Sequence, residues 1–127
     1  LDREDAVVTL DYIAYDRDNN ILASGAASIA VTAVPVEYTL HQNYPNPFNP
    51  VTTILYDLPE NGFTEVVIYD IMGREVTTLI RNEKTAGYHS IVWDGRNSHG
   101  RLVGAGMYFY QIRSGSFIKT RKMLLLK

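Results

Sequence analysis

The residues of this 127-residue chain that could do chemistry are three histidines, His41, His89 and His99, and a scatter of carboxylates that includes Asp57, Asp70 and Asp94. Zinc hydrolysis would need paired histidines at a spacing such as H-E-x-x-H, and the three lie in separate segments. Acyl transfer would need a strained G-x-S-x-G turn to expose a serine, and no such turn occurs. There is no cysteine, so thiol nucleophiles, disulfides and cysteine metal sites are all excluded. Asp16, Asp18 and Asn20 offer oxygens at the alternate spacing of a calcium loop. Such a loop needs Gly at its sixth position and Glu at its twelfth, where this chain has Ile21 and Ala27. Asp16–Asn20 is therefore read as a hairpin turn. Gly100-x-x-x-Gly104-x-Gly106 leads into a strand-like run rather than a helix, so it is not a phosphate loop. Asp57, Asp70 and Asp94 fall at strand ends, and the last two precede Gly73 and Gly95. Aspartates so placed bond their own turns. The chain is read as a non-enzyme with no cofactor and no metal.

The elements that would have to position any site are extended ones. Apolar residues make up 46% and charged residues 20%, the balance of a folded globular chain. No apolar run approaches the roughly 18–20 residues that span a bilayer. The start, Leu1-Asp2-Arg3-Glu4-Asp5, has no export-signal pattern, and the chain is taken as the C-terminal part of a longer protein. In residues 6–15, 21–24 and 28–34, β-branched and aromatic residues suggest about three strands, too few to close a core. Residues 1–34 are read as the closing strands of a preceding β-domain. Residues 35–50 are read as a linker and proline-rich lead-in. From 51 to 127 six runs follow: Val51–Leu58, Thr64–Ile71, Glu75–Arg81, Tyr88–Asp94, Gly106–Arg113 and Phe117–Leu126. Turn residues separate them and no helical period is sustained, which predicts an all-β antiparallel sandwich.

Period-two alternation nominates the core. Ile54, Tyr56 and Leu58 share a face, as do Val66 with Ile68, Ile91 with Trp93, and Tyr108 with Tyr110 and Ile112. Val76 and Ile80, or else Leu79, supply the remaining row. Trp93, the only tryptophan, is the expected central plug. Gly104 and Gly106 are expected to make a sharp bend where backbones approach closely.

Tyr44-Pro45-Asn46-Pro47-Phe48-Asn49-Pro50 stands apart. Each proline fixes φ, lacks an N–H and pushes its predecessor toward extended geometry. The expectation is a stiff extended edge pinned to a neighbouring surface by Tyr44 and Phe48.

Charge is unevenly spread within the net −2. Arg101, Arg113, Lys119, Arg121, Lys122 and Lys127 are the only charged residues from 101 onward, leaving six basic against fourteen acidic side chains before them. A basic end on an acidic body suits an acidic partner or an anionic lipid. On charge alone it better suits an edge strand protected from unwanted pairing. A sequence pI of about 5.9 leaves no footprint for nucleic acid.

Several motifs then occur in a fixed order. Tyr44 to Pro50 is followed by Thr53-Ile54, Ile68-Tyr69-Asp70-x-x-Gly73-Arg74-Glu75-Val76, Trp93-Asp94-Gly95-Arg96, Gly106-x-Tyr108-x-Tyr110 and Lys122-Met123-Leu124-Leu125-Leu126-Lys127. Across residues 38–127 this resembles the C-terminal sorting domain of the bacterial type IX secretion system. The match is to the variant whose immunoglobulin-like fold is shared with the flagellar hook-capping protein. The resemblance implies an immunoglobulin-like sandwich acting as an address on a secreted protein. Its implied partners are the outer-membrane translocon, a sortase-like peptidase and a preceding cargo domain, and its destination is the cell surface or medium. Pro45, Asn46 and Pro47 match the family's opening motif; Gly106, Tyr108 and Tyr110 match its penultimate strand; Lys122, Met123, Leu124 and Lys127 match its terminal motif. With Lys122 and Lys127 exposed, the last strand would be read by edge pairing and charge. Removing Lys122–Lys127 is then expected to spare the fold, and Tyr108→Ala to destroy it. The alternative is a structural or a carbohydrate- or protein-binding immunoglobulin-like module of a surface scaffold protein, and a planar row of exposed tyrosines would favour binding. Homo-oligomer formation through an exposed edge stays open.

Overall fold

The computed structural model describes the backbone of residues 7–11, 14–15, 21–23 and 28–32, and all of residues 34–126. The chain forms two compact units, Leu1–Val34 and Pro35–Lys127. In the first, β1 (Val7–Asp11) pairs antiparallel with β4 (Ser28–Thr32), and β2 (Ala14–Tyr15) with β3 (Ile21–Ala23). The turn read at Asp16–Asn20 and the opening Leu1–Asp5 lie outside the described residues.

Seven strands build the second unit. β5 (Thr39–Leu40), β6 (Thr52–Leu58) and β9 (Gly87–Trp93) form one sheet in the order β5-β6-β9. β7 (Gly62–Tyr69), β8 (Glu75–Lys84), β10 (Gly106–Ser114) and β11 (Phe117–Leu125) form the other, in the order β11-β10-β7-β8. Every pairing is antiparallel. The six expected runs are all strands, with ends shifted by a few residues. The stretch before them adds β5.

The core lies between the two sheets. Ile54, Tyr56, Leu58, Val66, Ile68, Trp93, Tyr108, Tyr110 and Ile112 are buried, as period two requires of half-buried strands. Trp93 sits among aromatics, its ring centroid 5.7 Å from Phe48 and 5.4 Å edge-on from Tyr108. β8 departs from simple alternation. Its pairing with β7 shifts register at Val66/Val67 and again at Ile68/Tyr69, so Ile80 is buried while Val76 and Leu79 are only partly so.

Two local expectations are corrected. Nothing lies within 4 Å of where a Cβ would stand on Gly104 or Gly106, so neither makes a close approach. Gly106 is favoured instead by its backbone, with φ at +145°. Asp57 does not serve a turn. It is buried within β6, and its carboxylate meets His41 Nε2 at 2.8 Å. Asp70 and Asp94 behave as expected. Asp70 accepts from the Arg74 amide, the Met72 amide and Arg74 Nε, and these bonds, the Arg74 amide foremost, hold its carboxyl below the usual range with help from the Arg74 charge.

Candidate functional site

Asn43 determines the course of the proline stretch. It is buried, and its amide N–H donates to the Tyr110 hydroxyl at 2.8 Å. Its Nδ2 donates to Thr52 Oγ1 at 2.9 Å and to the Pro45 carbonyl at 3.2 Å, and Thr52 donates to that same carbonyl at 2.9 Å. The Tyr110 hydroxyl in turn donates to the His41 carbonyl at 2.6 Å. Drawn back onto Asn43 and Thr52, the chain bends at residues 45–47 and again at 49–50 rather than running extended. With Asn43 turned inward, the next side chain turns outward. Tyr44 is therefore 79% exposed and pins nothing, contrary to expectation.

The segment crosses from one sheet to the other. Tyr44 exchanges two backbone bonds with Thr53 of β6, both 2.9 Å. Four residues on, the Phe48 N–H donates to the Leu124 carbonyl at 3.0 Å and the Leu126 N–H to the Phe48 carbonyl at 2.8 Å. Asn46 Oδ1 accepts the Leu124 N–H at 3.0 Å. Phe48 is buried against Trp93. The far end is held by Gly95, where a Cβ would stand 3.0 Å from the Pro50 carbonyl oxygen and φ is +77°. Here is the close backbone approach that the sequence suggested for Gly104 and Gly106.

The three groups of candidate residues thus meet on one strand. Pro45, Asn46 and Pro47 lie in the segment bonded to β11, while Gly106, Tyr108 and Tyr110 pair in register with Leu125, Met123 and Arg121. Lys127 lies outside the described residues. Lys122 and Leu124 are exposed, but Met123 is 1% exposed and Leu125 is 2% exposed. The terminal motif alternates, with core residues interleaved between exposed ones. The two tyrosines of β10 serve as structural hydroxyls. Burial pushes Tyr110 up to about 12 against the opposing effects of the Asn43 hydrogen bond and the Arg121 charge. Burial and the Asp70 charge raise Tyr108, whose hydroxyl donates to the Gly104 carbonyl at 2.6 Å.

Beside β11 lies a shallow depression of about 360 Å³ lined by Gln42, Phe109, Lys119, Thr120, Arg121 and Lys122. Gln42 Nε2 donates to the Lys122 carbonyl at 2.9 Å, and Arg121 Nε to the Leu40 carbonyl. Among the described residues, none of these three cations pairs with a carboxylate. The described tyrosines form no exposed row, since Tyr44 alone among them is exposed and the others are half-buried or buried. Sequence reasoning missed Gln42, Asn43 and Gly95. Gly95 carried a signal in its Asp94-Gly95 turn, whereas the burial of Asn43 and the partners of Asn43 and Gln42 depend on distant strands.

The profile of the FlgD Ig-like domain matches residues 52–116. The chain belongs to that family. Within this FlgD Ig-like domain the matched residues run from β6 through β10, and β11 and the proline segment lie outside them. Two solved structures from Porphyromonas gingivalis are similar. Dimeric latent PorU superposes with a TM-score of 0.57 at 20% identity over 88% of this chain and 11% of its own. PorZ, described as an essential bacterial surface component of the type-IX secretion system, gives 0.49 at 20% identity over 69% of this chain and 11% of its own. This chain therefore spans about a tenth of either protein, and the PorU likeness is one of fold. No curated protein matches the sequence.

Proposed function

We propose that the sandwich is a C-terminal sorting domain. It directs the protein that carries it through the outer membrane to the cell surface or medium by type IX secretion, read by the translocon and a sortase-like peptidase. The observation that carries this reading is the convergence on β11. The motifs resembling the sorting family, separated by more than half of the unit in sequence, form one bonded neighbourhood. Its exposed members, Pro45, Asn46, Pro47, Lys122 and Leu124, would give a receptor one surface to read. The absence of an exposed tyrosine row among the described residues gives the carbohydrate-binding alternative nothing specific to stand on.

The test is a transplant of residues 36–127 onto an inert periplasmic reporter in a bacterium with a working type IX system. The comparison is a Lys122→Glu, Leu124→Ser double variant, whose altered side chains face outward and leave Met123 and Leu125 in the core. Surface display of the parent fusion with periplasmic retention of the folded variant supports an address on β11. Retention of both folded fusions in the periplasm would point to a structural module instead.

A further inference from the structure

β11 is the edge strand of its sheet, and its outer edge is divided in two. Toward its end, Asn46 and Phe48 occupy the backbone groups of Leu124 and Leu126, and Gln42 takes the Lys122 carbonyl. In an antiparallel ladder, outward-facing groups recur at every second residue. Ile118 and Thr120 therefore turn both backbone groups outward, and Lys122 its N–H. No described residue bonds to them. The free stretch is held at both ends, since at its start the Phe117 ring stacks on Tyr38 at 4.9 Å. The depression bounded by Lys119, Thr120, Arg121 and Lys122 leaves room along it.

We infer that Ile118–Lys122 is a strand-pairing site for an extended acidic segment of a partner protein. This rests on the reading of β11 as the recognised strand, and adds which part is read and by what chemistry. The outward backbone groups would set the register of an added strand. Lys119 and Arg121 project to one face of the sheet and Lys122 to the other, so carboxylates on both faces of the incoming strand find cations. Acidic character follows from the absence of any Asp or Glu between Arg101 and Lys127. A second copy is a poor occupant. Antiparallel self-pairing centred on Thr120 would set Lys119 opposite Arg121, and like charges directly opposed destabilise a ladder. The opposite edge strand, β8, mixes Glu75, Arg81, Glu83 and Lys84 and offers no such preference.

The test uses the full chain and two short synthetic peptides, one alternating valine with glutamate and the other valine with lysine. Binding is followed by fluorescence anisotropy, and its position by amide hydrogen exchange. The glutamate peptide is expected to bind at least about tenfold tighter, a difference of the size two or three opposed charge pairs produce. Exchange should slow at Ile118, Thr120 and Lys122. A Lys119→Glu, Lys122→Glu variant with an unchanged melt should reverse the preference. Equal affinity for the two peptides, binding of neither, protection elsewhere, or shielding of these amides by self-association would each overturn the inference. The assay needs no secretion machinery, so its failure is separable from that of the export reading. Peptide binding by a domain that fails to export its reporter would remove only the latter.

Discussion

Tyr110 ties β10 to the segment at residues 41–43 through one oxygen. Its ring is fully buried, and its hydroxyl accepts from the Asn43 amide while donating to the His41 carbonyl. Alternation placed the ring inward correctly, but nothing in the sequence names partners almost seventy residues away. Asp57 makes the same point from the other side. It looked like a turn aspartate by position, and only the fold brings His41 to it. Where the bond is local, as in Asp70 and Asp94, the sequence sufficed. The Tyr110 phenol, raised to about 12, has a consequence for pH. An unfolded phenol titrates near 10, so the folded state favours the protonated form. Its contribution is complete below about pH 10 and is lost as the pH climbs from there through about 12. Tyr110→Phe should cost about 1–3 kcal/mol at neutral pH by leaving the buried Asn43 amide and His41 carbonyl short of a partner. Between pH 10 and 12 its stability should then fall less steeply than that of the parent. Urea denaturation across that range checks both parts, and parallel curves would show that Tyr110 does not titrate as described.

The strands were legible because each buries one face, and a buried face writes itself into the sequence as alternation. The same alternation in Lys122–Leu126 shows why the terminal motif is no detachable tail. Met123 and Leu125 point into the core, and β11 pairs with β10 from Phe117 to Leu125. The expectation that residues 122–127 can be removed without harm to the fold is replaced by its opposite. Deletion takes away two buried side chains and the partner of Asn46 and Phe48. Large-to-small changes at single buried Met or Leu positions cost about 2–5 kcal/mol, so losing both approaches the whole stability of a small domain. A thermal melt of the deletion variant should show no cooperative transition or one far below the parent's. A melt close to the parent's would mean that β11 ends, in effect, at Arg121. The proline segment was the least legible element. Proline rules describe its local stiffness, but its direction is set by Asn43, Thr52 and Leu124, which the chain brings together only on folding.

At the scale of the whole molecule, the export address proposed for this sandwich would have to fold wherever it is attached. The sandwich has the means. Its core cluster runs from Leu40 to Leu125 and is closed by the proline segment, which bonds to β6 at Thr53 and to β11 at Leu124 and Leu126. This closure also explains why residues ahead of the first long strand belong with the sandwich, since Leu40 and Phe48 fill its interior. A domain of this size without cysteines depends on that core alone. Trp93, the only tryptophan in the chain, is 1% exposed at the centre of the cluster, so its fluorescence reports this unit and no other. Residues 35–127 produced alone should therefore unfold in a single sigmoidal transition of Trp93 emission. Its midpoint should fall within a few degrees of the transition seen in the full chain, because a loss of about 1 kcal/mol would already move a domain of about 60–100 residues by roughly 4–8 °C. A midpoint displaced well beyond that would show that the core from Leu40 to Leu125 is not sufficient. The transplanted domain would then need residues 1–34 with it before any export result could be read.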